Sequence, residues 1–325
     1  MKKFLCVFLS IFLIVLSGCT VANAEIDNEK INIVATIFPE YDFAKAITGD
    51  RANVSMLIQP GASIHSFDPS PADIKKVQNA DIFIYVGGES EVWADNILQS
   101  LNTSEIKIIR LMDHVNTVNE EIKEGMEHEH KEHAEDHHED EDQDQFHEAE
   151  AVDEHIWTSP KNALKLIDVI CTVIAETDSE NAEHYKDNAA KYKEELKEID
   201  REITEVVESA KHNKIVVADK FPFRYFVDAY GLDYEAAFPG CSDQADAGAK
   251  TIVHLVNAVK NEGIEYVYYV ELSNKNVAFA ISEETGAQML LLNSCHNVSK
   301  TDFDKGITYI SLMKDNIESL RKGLN

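Results

Sequence analysis

Residues 181–211, NAEHYKDNAAKYKEELKEIDREITEVVESAK, decide the architecture that we predict for this chain. At a rise of 1.5 Å per residue, one helix over this segment would be roughly 45 Å long. That length exceeds an ordinary crossover helix, so we interpret the segment as a rigid connection between two lobes. The alternative is an ordinary long helix packed on one sheet. The amphipathic pattern rests on apolar residues at steps of four and three with charged residues between them: Tyr185, Ala189, Tyr192, Leu196, Ile199, Ile203, Val206 and Ala210.

Strand and helix patterns alternate on both sides of that segment. Helical patterns lie between the strands, and two of the helices open with Ser70-Pro71 and Ser159-Pro160, in which serine is the cap and proline the first helical residue. The last helix is predicted at 303–320. This alternation predicts two parallel-sheet α/β lobes, with a ligand cleft at the carboxyl ends of their strands. The predicted strands are β-branched and aliphatic runs at 31–38, 54–58, 82–86, 107–110, 215–218, 234–237, 266–270 and 288–292.

The first residues have the pattern of a secretory signal. Lys2 and Lys3 precede an apolar run at 4–15, which is too short to span a membrane. Leu16-Ser17-Gly18-Cys19 then resembles the bacterial lipobox, which implies cleavage before Cys19 and a lipid on its sulfur that anchors the protein to the cell membrane. Cleavage by an ordinary signal peptidase at 22–24 is the alternative. On either interpretation the mature protein works outside the cytoplasm.

We therefore expect five parts. They are a lipoprotein signal peptide (1–18), a tether (19–30), an N-terminal lobe (31–177), a linking helix (178–212) and a C-terminal lobe (213–325). The 44% of hydrophobic residues gives both lobes ample material for buried cores. We expect the protein to be a monomer.

A segment crowded with histidine and acid interrupts the N-terminal lobe at 115–152. Between 120 and 154, seventeen carboxylates face two lysines, a composition that predicts disorder. Imidazole suits zinc, copper, iron and nickel, so we interpret the segment as a weak collector of metal. The alternative is a solvated acidic linker that contacts nothing. The histidines that alternate with the acids are His128, His130, His133, His137, His138 and His147.

Much of the acidity of the chain comes from that segment. The formal net charge is −29, and the seventeen acids and two lysines of 120–154 contribute −15. The moderate acidic excess that remains argues against nucleic acid as a partner.

Three cysteines lie in the body of the chain. Cys171 falls among aliphatic residues at helical spacing, which predicts a buried position. Cys241 and Cys295 lie in loop-like contexts. In an oxidising compartment they could form a disulfide, or one of them could be a thiolate ligand.

Two histidines stand in loops at the predicted rim of the cleft. His65 lies between a predicted strand and the helix that opens at Pro71, and His155 precedes the helix that opens at Pro160. A lone loop histidine is ordinarily a surface residue. Two histidines in equivalent settings, with a histidine-rich segment between them, favour a metal site.

These loops resemble the metal-specific solute-binding lipoproteins of bacterial ABC transporters for zinc and manganese, the metal-binding cluster A-I family. The resemblance implies two α/β lobes joined by a single long helix, with His65 and His155 as metal ligands. It also implies Zn(II) as cargo, with Mn(II) as the runner-up, and a permease with its ATPase subunits as partners. The motifs that carry the resemblance are PGASIHSFDPSP (60–71), DEHIW (153–157), Tyr230-Gly231-Leu232 and Thr285-Gly286.

The C-terminal lobe departs from the family pattern at two positions. Lys220 stands where the family usually has a third ligand, and Asn293 stands where it usually has an aspartate. His296 is the best substitute, because it follows a predicted strand and faces the same rim. Glu271 or water would take the fourth place, and Asp219 and Asp243 are weaker candidates. Lys220 could form an ion pair with Glu271 or Asp219.

Two other classes of function are weighed against metal delivery. A secreted zinc hydrolase would need an open catalytic site, but the chain has no His-Glu-x-x-His motif, no nucleophile motif and no obvious general base beside His65 or His155. We therefore do not expect an enzyme. A surface adhesin or a zinc buffer that never docks on a permease is the other alternative.

Overall fold

The computed structural model of the protein describes residues 30–62, 67–126, 151–240 and 247–325. Its described strands form two parallel four-stranded sheets with the orders β2-β1-β3-β4 and β6-β5-β7-β8. The two orders correspond, so each half repeats the same arrangement, and the predicted pair of α/β lobes is confirmed. The strands are β1 (Asn32–Ala35), β2 (Asn53–Met56), β3 (Ile82–Tyr85), β4 (Lys107–Arg110), β5 (Lys214–Phe221), β6 (Asp233–Pro239), β7 (Tyr266–Tyr269) and β8 (Gln288–Leu291).

Helices follow the strands as the alternation predicts. The α-helices are α1 (Phe38–Thr48), α2 (Pro71–Gln78), α3 (Val92–Ser100), α4 (Pro160–Thr177), α5 (Ala182–Glu208), α6 (Arg224–Tyr230), α7 (Ala249–Glu262), α8 (Asn276–Thr285), α9 (Lys300–Asp304) and α10 (Tyr309–Gly323). None of the helices in the described part of the chain is both long and apolar enough to cross a membrane.

The two serine-proline helix starts differ. At α2 the Ser70 hydroxyl accepts a hydrogen bond from Asp73 N, and the Asp73 carboxylate accepts one from Ser70 N, which completes a capping box. Ser159 stands at the same position before α4, but its side chain makes no capping hydrogen bond. The expectation that both helices share one cap chemistry is therefore wrong.

Helix α5 buries the predicted apolar stripe, from Tyr185 to Val206. It has 27 residues, which makes it about 40 Å long. In chain order it stands between the two sheets, and it packs against α4, α1 and α10. Its role as a rigid connector stays a prediction.

The predicted last helix at 303–320 is two helices. Gly306, between α9 and α10, has φ +77°, a left-handed conformation that interrupts a right-handed helix. Thr308 then caps α10 by accepting a hydrogen bond from Ser311 N. Apolar periodicity continues across this break, which is why the pattern alone predicts one helix.

The start of the acid-rich segment packs on the C-terminal lobe. Lys123 Nζ lies 2.6 Å from Asp233 Oδ1 and 4.0 Å from the centre of the Tyr234 ring. Thr251 Oγ1 donates a hydrogen bond to Gly125 O at 2.7 Å. The alternative of a linker that contacts nothing is therefore wrong for residues 118–126. The six clustered histidines lie at 127–150, outside the described residues.

Candidate metal centre

A cavity of about 290 Å³ lies at the carboxyl ends of the two sheets. Its position agrees with the rule for ligand sites in open α/β sheets. Residues of both lobes line it. The described lining residues of the N-terminal lobe are Ile37, Ile58, Gly61, Ala62 and His155, and those of the C-terminal lobe include Asp219, Lys220, Gly240, Glu271, Ser294, His296 and Asn297.

His155 stands in the 3₁₀ turn before α4, with 3% of its surface exposed. Its Nδ1 lies 3.1 Å from Asp153 Oδ1, which also accepts a hydrogen bond from His155 N at 2.8 Å. Burial acts to lower the pKa of His155, but the nearby carboxylates, Asp153 first and then Glu154 and Glu120, together raise the pKa above its ordinary value. Because Asp153 engages Nδ1, Nε2 is the ring nitrogen left to bind a metal.

The backbone of the C-terminal lobe comes close to the His155 ring. A Cβ atom at Gly240 would lie 3.0 Å from His155 Cε1 and 2.9 Å from Phe221 O. A side chain there would displace the ring or the strand end. Gly240 therefore allows the two lobes to approach each other around His155.

His296 lies across the cavity from His155, in the turn after β8. The two ring centres are 5.7 Å apart and the ring planes are 80° apart. A zinc ion bound about 2.0 to 2.1 Å from one nitrogen of each ring would place the centres about 5 to 6 Å apart. The separation therefore fits two imidazoles that share one ion.

Glu271 holds the His296 turn in place. Its Oε2 accepts a hydrogen bond from Ser294 N at 2.7 Å, and its Oε1 accepts bonds from Ser294 Oγ at 2.5 Å and His296 N at 3.1 Å. Burial raises the pKa of Glu271, and these donors oppose the rise. Cys295, inside the turn, has φ +60°, a strained conformation for a residue with a side chain. The Glu271 carboxylate thus stabilises the strained turn around Cys295 through three hydrogen bonds.

The same turn is also bound to the N-terminal lobe. Trp157 Nε1 donates a hydrogen bond to Ser294 O at 2.8 Å. Asn297 Nδ2 donates to Ala62 O at 2.6 Å and to Gln59 O at 3.2 Å. These carbonyls precede residues 63–66, which include His65 and lie outside the described part of the chain. The participation of His65 stays a prediction.

Lys220 and Asn293 have different environments. Lys220 lines the cavity. Among the described residues no salt bridge joins it to Glu271 or Asp219, the pairing that the sequence allowed, but its positive charge still acts to lower the pKa of Asp219, which burial raises. Asn293 faces α10 instead of the cavity: its Nδ2 donates to Asn316 Oδ1 at 3.1 Å, and Asn316 Nδ2 donates to Asn293 O at 2.8 Å.

Asp219 and Asp243 are the remaining predicted candidates for metal ligands. The carboxylate of Asp219 accepts hydrogen bonds from Lys220 N at 2.9 Å and Val270 N at 3.4 Å, and burial raises its pKa. Asp243 lies at 241–246, outside the described residues. Within the described residues, no group of three or more His, Cys, Asp or Glu side chains could hold a metal. His155 and His296 are a pair that needs further donors.

The cysteines also occupy distinct environments. Cys171 is buried and free, as expected. Cys295 is a free thiol that is 1% exposed, with its Sγ 3.8 Å from Met313 Sδ. Cys241 and Cys19 lie outside the described residues, so the disulfide between Cys241 and Cys295 stays a prediction.

The profile of a known family matches nearly the whole chain. It is described as ZnuA, zinc-uptake complex component A, periplasmic, and it matches residues 33–323. The chain belongs to the ZnuA family. The resemblance inferred from the loop motifs is thereby confirmed.

Individual relatives of this ZnuA-family chain are zinc proteins by name. It is 32% identical to the zinc-binding protein AdcA of Streptococcus pyogenes serotype M3 over 309 residues, which cover 93% of the chain but 58% of that protein. It is 29% identical to the high-affinity zinc uptake system protein ZnuA of Bacillus subtilis, over 95% of the chain and 92% of the relative. The chain thus spans little more than half the length of the AdcA relative.

A solved structure gives the same result for the fold. The Zn(II)-bound ZnuA-like domain of Streptococcus pneumoniae AdcA superposes with a TM-score of 0.72 at 29% identity. The match covers 91% of this ZnuA-family chain and 99% of the domain.

Sequence reasoning missed the residues that support the two histidines. Asp153 and Trp157 belong to the DEHIW motif, so their proximity to His155 was visible, but their partners were not. Asn297 gives no signal in a single sequence, because its acceptors are 235 and 238 positions away.

Proposed function

We propose that this chain captures Zn(II) in the interlobe cavity outside the cytoplasm and delivers it to an ABC permease with its ATPase subunits. The observation that carries the proposal is the pair of imidazoles, one from each lobe, whose ring centres are 5.7 Å apart in one cavity. The names of the AdcA and ZnuA relatives support the same cargo. Binding and release require no chemistry on the ion.

The ligand set that we propose is His65, His155 and His296, with Glu271 or water in the fourth place. Imidazole nitrogen favours zinc, whereas manganese prefers carboxylate and other oxygen ligands. Both oxygens of Glu271 already accept hydrogen bonds, so a metal contact would use a remaining lone pair. The balance of donors favours Zn(II) over Mn(II).

Two features outside the cavity complete the proposal. A lipid on Cys19 would anchor the protein beside its permease. The histidines at 127–150 would bind zinc weakly and raise its concentration near the tighter cavity site, through the effective concentration that a tether provides.

The test is a zinc titration by calorimetry on protein that lacks the signal and residues 127–150. We expect one tight site that is weakened by His155→Ala and by His296→Ala. His254→Ala is the matched control. His254 lies on α7 and does not line the cavity, and its Nε2 is 3.1 Å from Glu235 Oε2 on β6. Unchanged affinity in His296→Ala would remove His296 from the site. Manganese binding as tight as zinc binding would contradict the choice of cargo.

A further inference from the structure

We propose that Trp157 is a positioning residue of the zinc site: it fixes the separation of His155 and His296 and slows the release of the ion. The inference rests on the proposed function, because it takes these two histidines as ligands. Three observations carry it: the contacts of the indole ring with both imidazoles, the hydrogen bond that the indole donates to the C-terminal lobe, and the support of the Trp157 carbonyl by packed helices.

The indole ring of Trp157 contacts both imidazoles. Its centre lies 5.5 Å from that of His155, with the ring planes 62° apart, and 5.3 Å from that of His296, with the planes 52° apart. The imidazole centres are 5.7 Å apart, so the three rings are nearly equidistant, at separations within the range of about 4.5 to 7 Å that aromatic pairs favour. Trp157 is 2% exposed, so both contacts are buried. Contacts within the protein therefore set the spacing of the two imidazoles.

The indole N–H joins the two lobes beside the metal site. Trp157 lies in the 3₁₀ helix Ile156–Thr158 of the N-terminal lobe, and its Nε1 donates a hydrogen bond to Ser294 O at 2.8 Å. Ser294 belongs to the turn after β8 that carries His296. Any separation of the lobes at this point would break the hydrogen bond together with the contact between the indole and the His296 ring.

The backbone of Trp157 is fixed by helices that pack on one another. Tyr309, the first residue of α10, donates a hydrogen bond from its hydroxyl to Trp157 O at 2.7 Å. The N–H of Tyr309 and the hydroxyl of Tyr192 on α5 both donate to Asp42 Oδ2 on α1, at 3.1 and 2.9 Å. All of these side chains are buried, where hydrogen bonds are stronger than in water. Three helices therefore anchor the residue that contacts both histidines.

This arrangement predicts an effect on release more than on capture. Zinc that enters the cavity meets two imidazoles whose separation Trp157 already fixes. Zinc that leaves as the lobes part requires the hydrogen bond to Ser294 and the contact with His296 to break first. Changes in binding contacts generally alter dissociation more than association. Trp157 should therefore slow the dissociation of zinc.

The test measures zinc kinetics in protein that lacks the signal and carries one equivalent of zinc, by stopped-flow mixing with a metallochromic chelator. Trp157→Phe keeps an aromatic ring but removes the N–H donor. We expect zinc to dissociate about tenfold faster, with an association rate within about twofold of the original. Tyr309→Phe, which removes the hydrogen bond to Trp157 O and leaves the indole in place, should accelerate dissociation about threefold.

Tyr185→Phe is the matched control for the loss of a buried hydroxyl. Tyr185 is as buried as Tyr309, and its hydroxyl donates to Asp178 Oδ2 at 2.6 Å, away from the cavity lining. Its zinc dissociation rate should equal that of the unsubstituted protein. Tyr309→Phe combined with Trp157→Phe should dissociate little faster than Trp157→Phe alone, because contacting residues that act together are not additive.

A spectroscopic signature separates a positioning role from a general effect on stability. The chain has two tryptophans, so Trp157 is the only one in Trp93→Phe. Its fluorescence should change when zinc binds, because its ring contacts both imidazoles.

Two results overturn the inference and leave zinc capture intact: an unchanged dissociation rate in Trp157→Phe, and a Trp157 fluorescence that does not respond to zinc. Where Trp157→Phe does not fold, Tyr309→Phe decides, and a dissociation rate equal to that of Tyr185→Phe overturns the inference. Failure of the unsubstituted protein to bind zinc tightly overturns the proposed function.

Discussion

The Asp153 carboxylate determines how protons compete with metal at His155. A protonated imidazole cannot bind zinc, and Asp153, together with Glu154 and Glu120, raises the pKa of His155 above its ordinary value. As the pH falls, zinc affinity should therefore begin to drop at a higher pH than it would for an unperturbed histidine. The same hydrogen bond orients the ring so that Nε2 is available to the ion.

Asp153→Asn should change both properties. We expect zinc affinity at pH 8 to fall by about 10- to 100-fold, the usual effect of losing such a partner of a ligating histidine. The acid limb of the affinity profile should move to lower pH, because the pKa of His155 falls. Calorimetric titrations across a pH series measure both effects. An acid limb at an unchanged pH would contradict the role of Asp153.

Glu271 stabilises the turn of His296 whether or not it touches the metal. Glu271→Gln keeps the shape but replaces one acceptor oxygen by a donor that faces Ser294. Loss of one bond to the charged group should lower the free energy of unfolding by about 2 kcal/mol, measured by denaturant unfolding of metal-free protein, and should also weaken zinc binding. Glu265→Gln, on the surface before β7, is the control. Equal free energies of unfolding for Glu271→Gln and Glu265→Gln would contradict the role of Glu271 in holding the His296 turn.

At the scale of single residues, sequence reasoning identified the two histidines but not the contacts that position them. His155 was visible from its motif and His296 from its place after a strand. The hydrogen bonds from Trp157 and Asn297 join positions far apart in the chain, and composition or periodicity carries no information about such pairs.

Elements whose ends depend on local chemistry were the most predictable. Helix α2 begins where Ser70 and Pro71 predict it, and β4 has its predicted limits. The end of β5 was not predicted, because its extension to Phe221 depends on pairing with β6. The break at Gly306 was missed because an apolar period does not show a single left-handed residue.

The loop between β3 and α3 should make stability depend on pH. Burial raises the pKa of Glu91 to about 7, and its Oε2 accepts a hydrogen bond from Gly87 N at 2.9 Å. The folded protein therefore keeps a proton that the unfolded chain releases between about pH 4.5 and 7, so this group's stabilisation falls as the pH rises through that range.

Glu91→Gln, which stays neutral, should reduce the slope of that part of the stability profile; the buried Glu40, whose pKa is raised by burial and by the Glu91 charge, contributes the remainder. Denaturant unfolding at several values between pH 5 and 8 is the measurement. Glu89→Gln, in the same loop, is the control and should retain the original profile. A fall in stability of the same size in Glu91→Gln would show that another group carries the proton.

The segment 118–126 depends on a glycine for its contact with α7. Gly125 has φ +94°, and a Cβ atom there would lie 2.3 Å from His254 Cδ2. Gly263 is also left-handed, at φ +65°, but a Cβ atom there would meet nothing within 4 Å. Gly125→Ala should therefore destabilise the protein by about 1 to 3 kcal/mol more than Gly263→Ala. Thermal unfolding of the two variants measures the difference, and equal losses would show that this contact contributes nothing.

For the whole molecule, the two-lobe architecture followed from the sequence because each lobe repeats a regular alternation of strand and helix. The contacts between the two lobes could not be predicted from the sequence. The acid-rich segment looked like a solvated linker by composition, yet its first residues pack on β6 and α7 through Lys123 and Thr251. In so short a segment, a few specific contacts decide whether the chain packs on the lobe, and the average composition does not predict them.

X-ray absorption of the zinc-loaded protein without residues 127–150 tests the central claim most directly. Imidazole nitrogens at about 2.0 to 2.1 Å and no sulfur at about 2.3 Å are expected. The imidazole scattering should decrease in both His155→Ala and His296→Ala. A spectrum that is the same in the unsubstituted protein and in both variants would show that zinc binds elsewhere and would contradict a metal site shared by the two lobes.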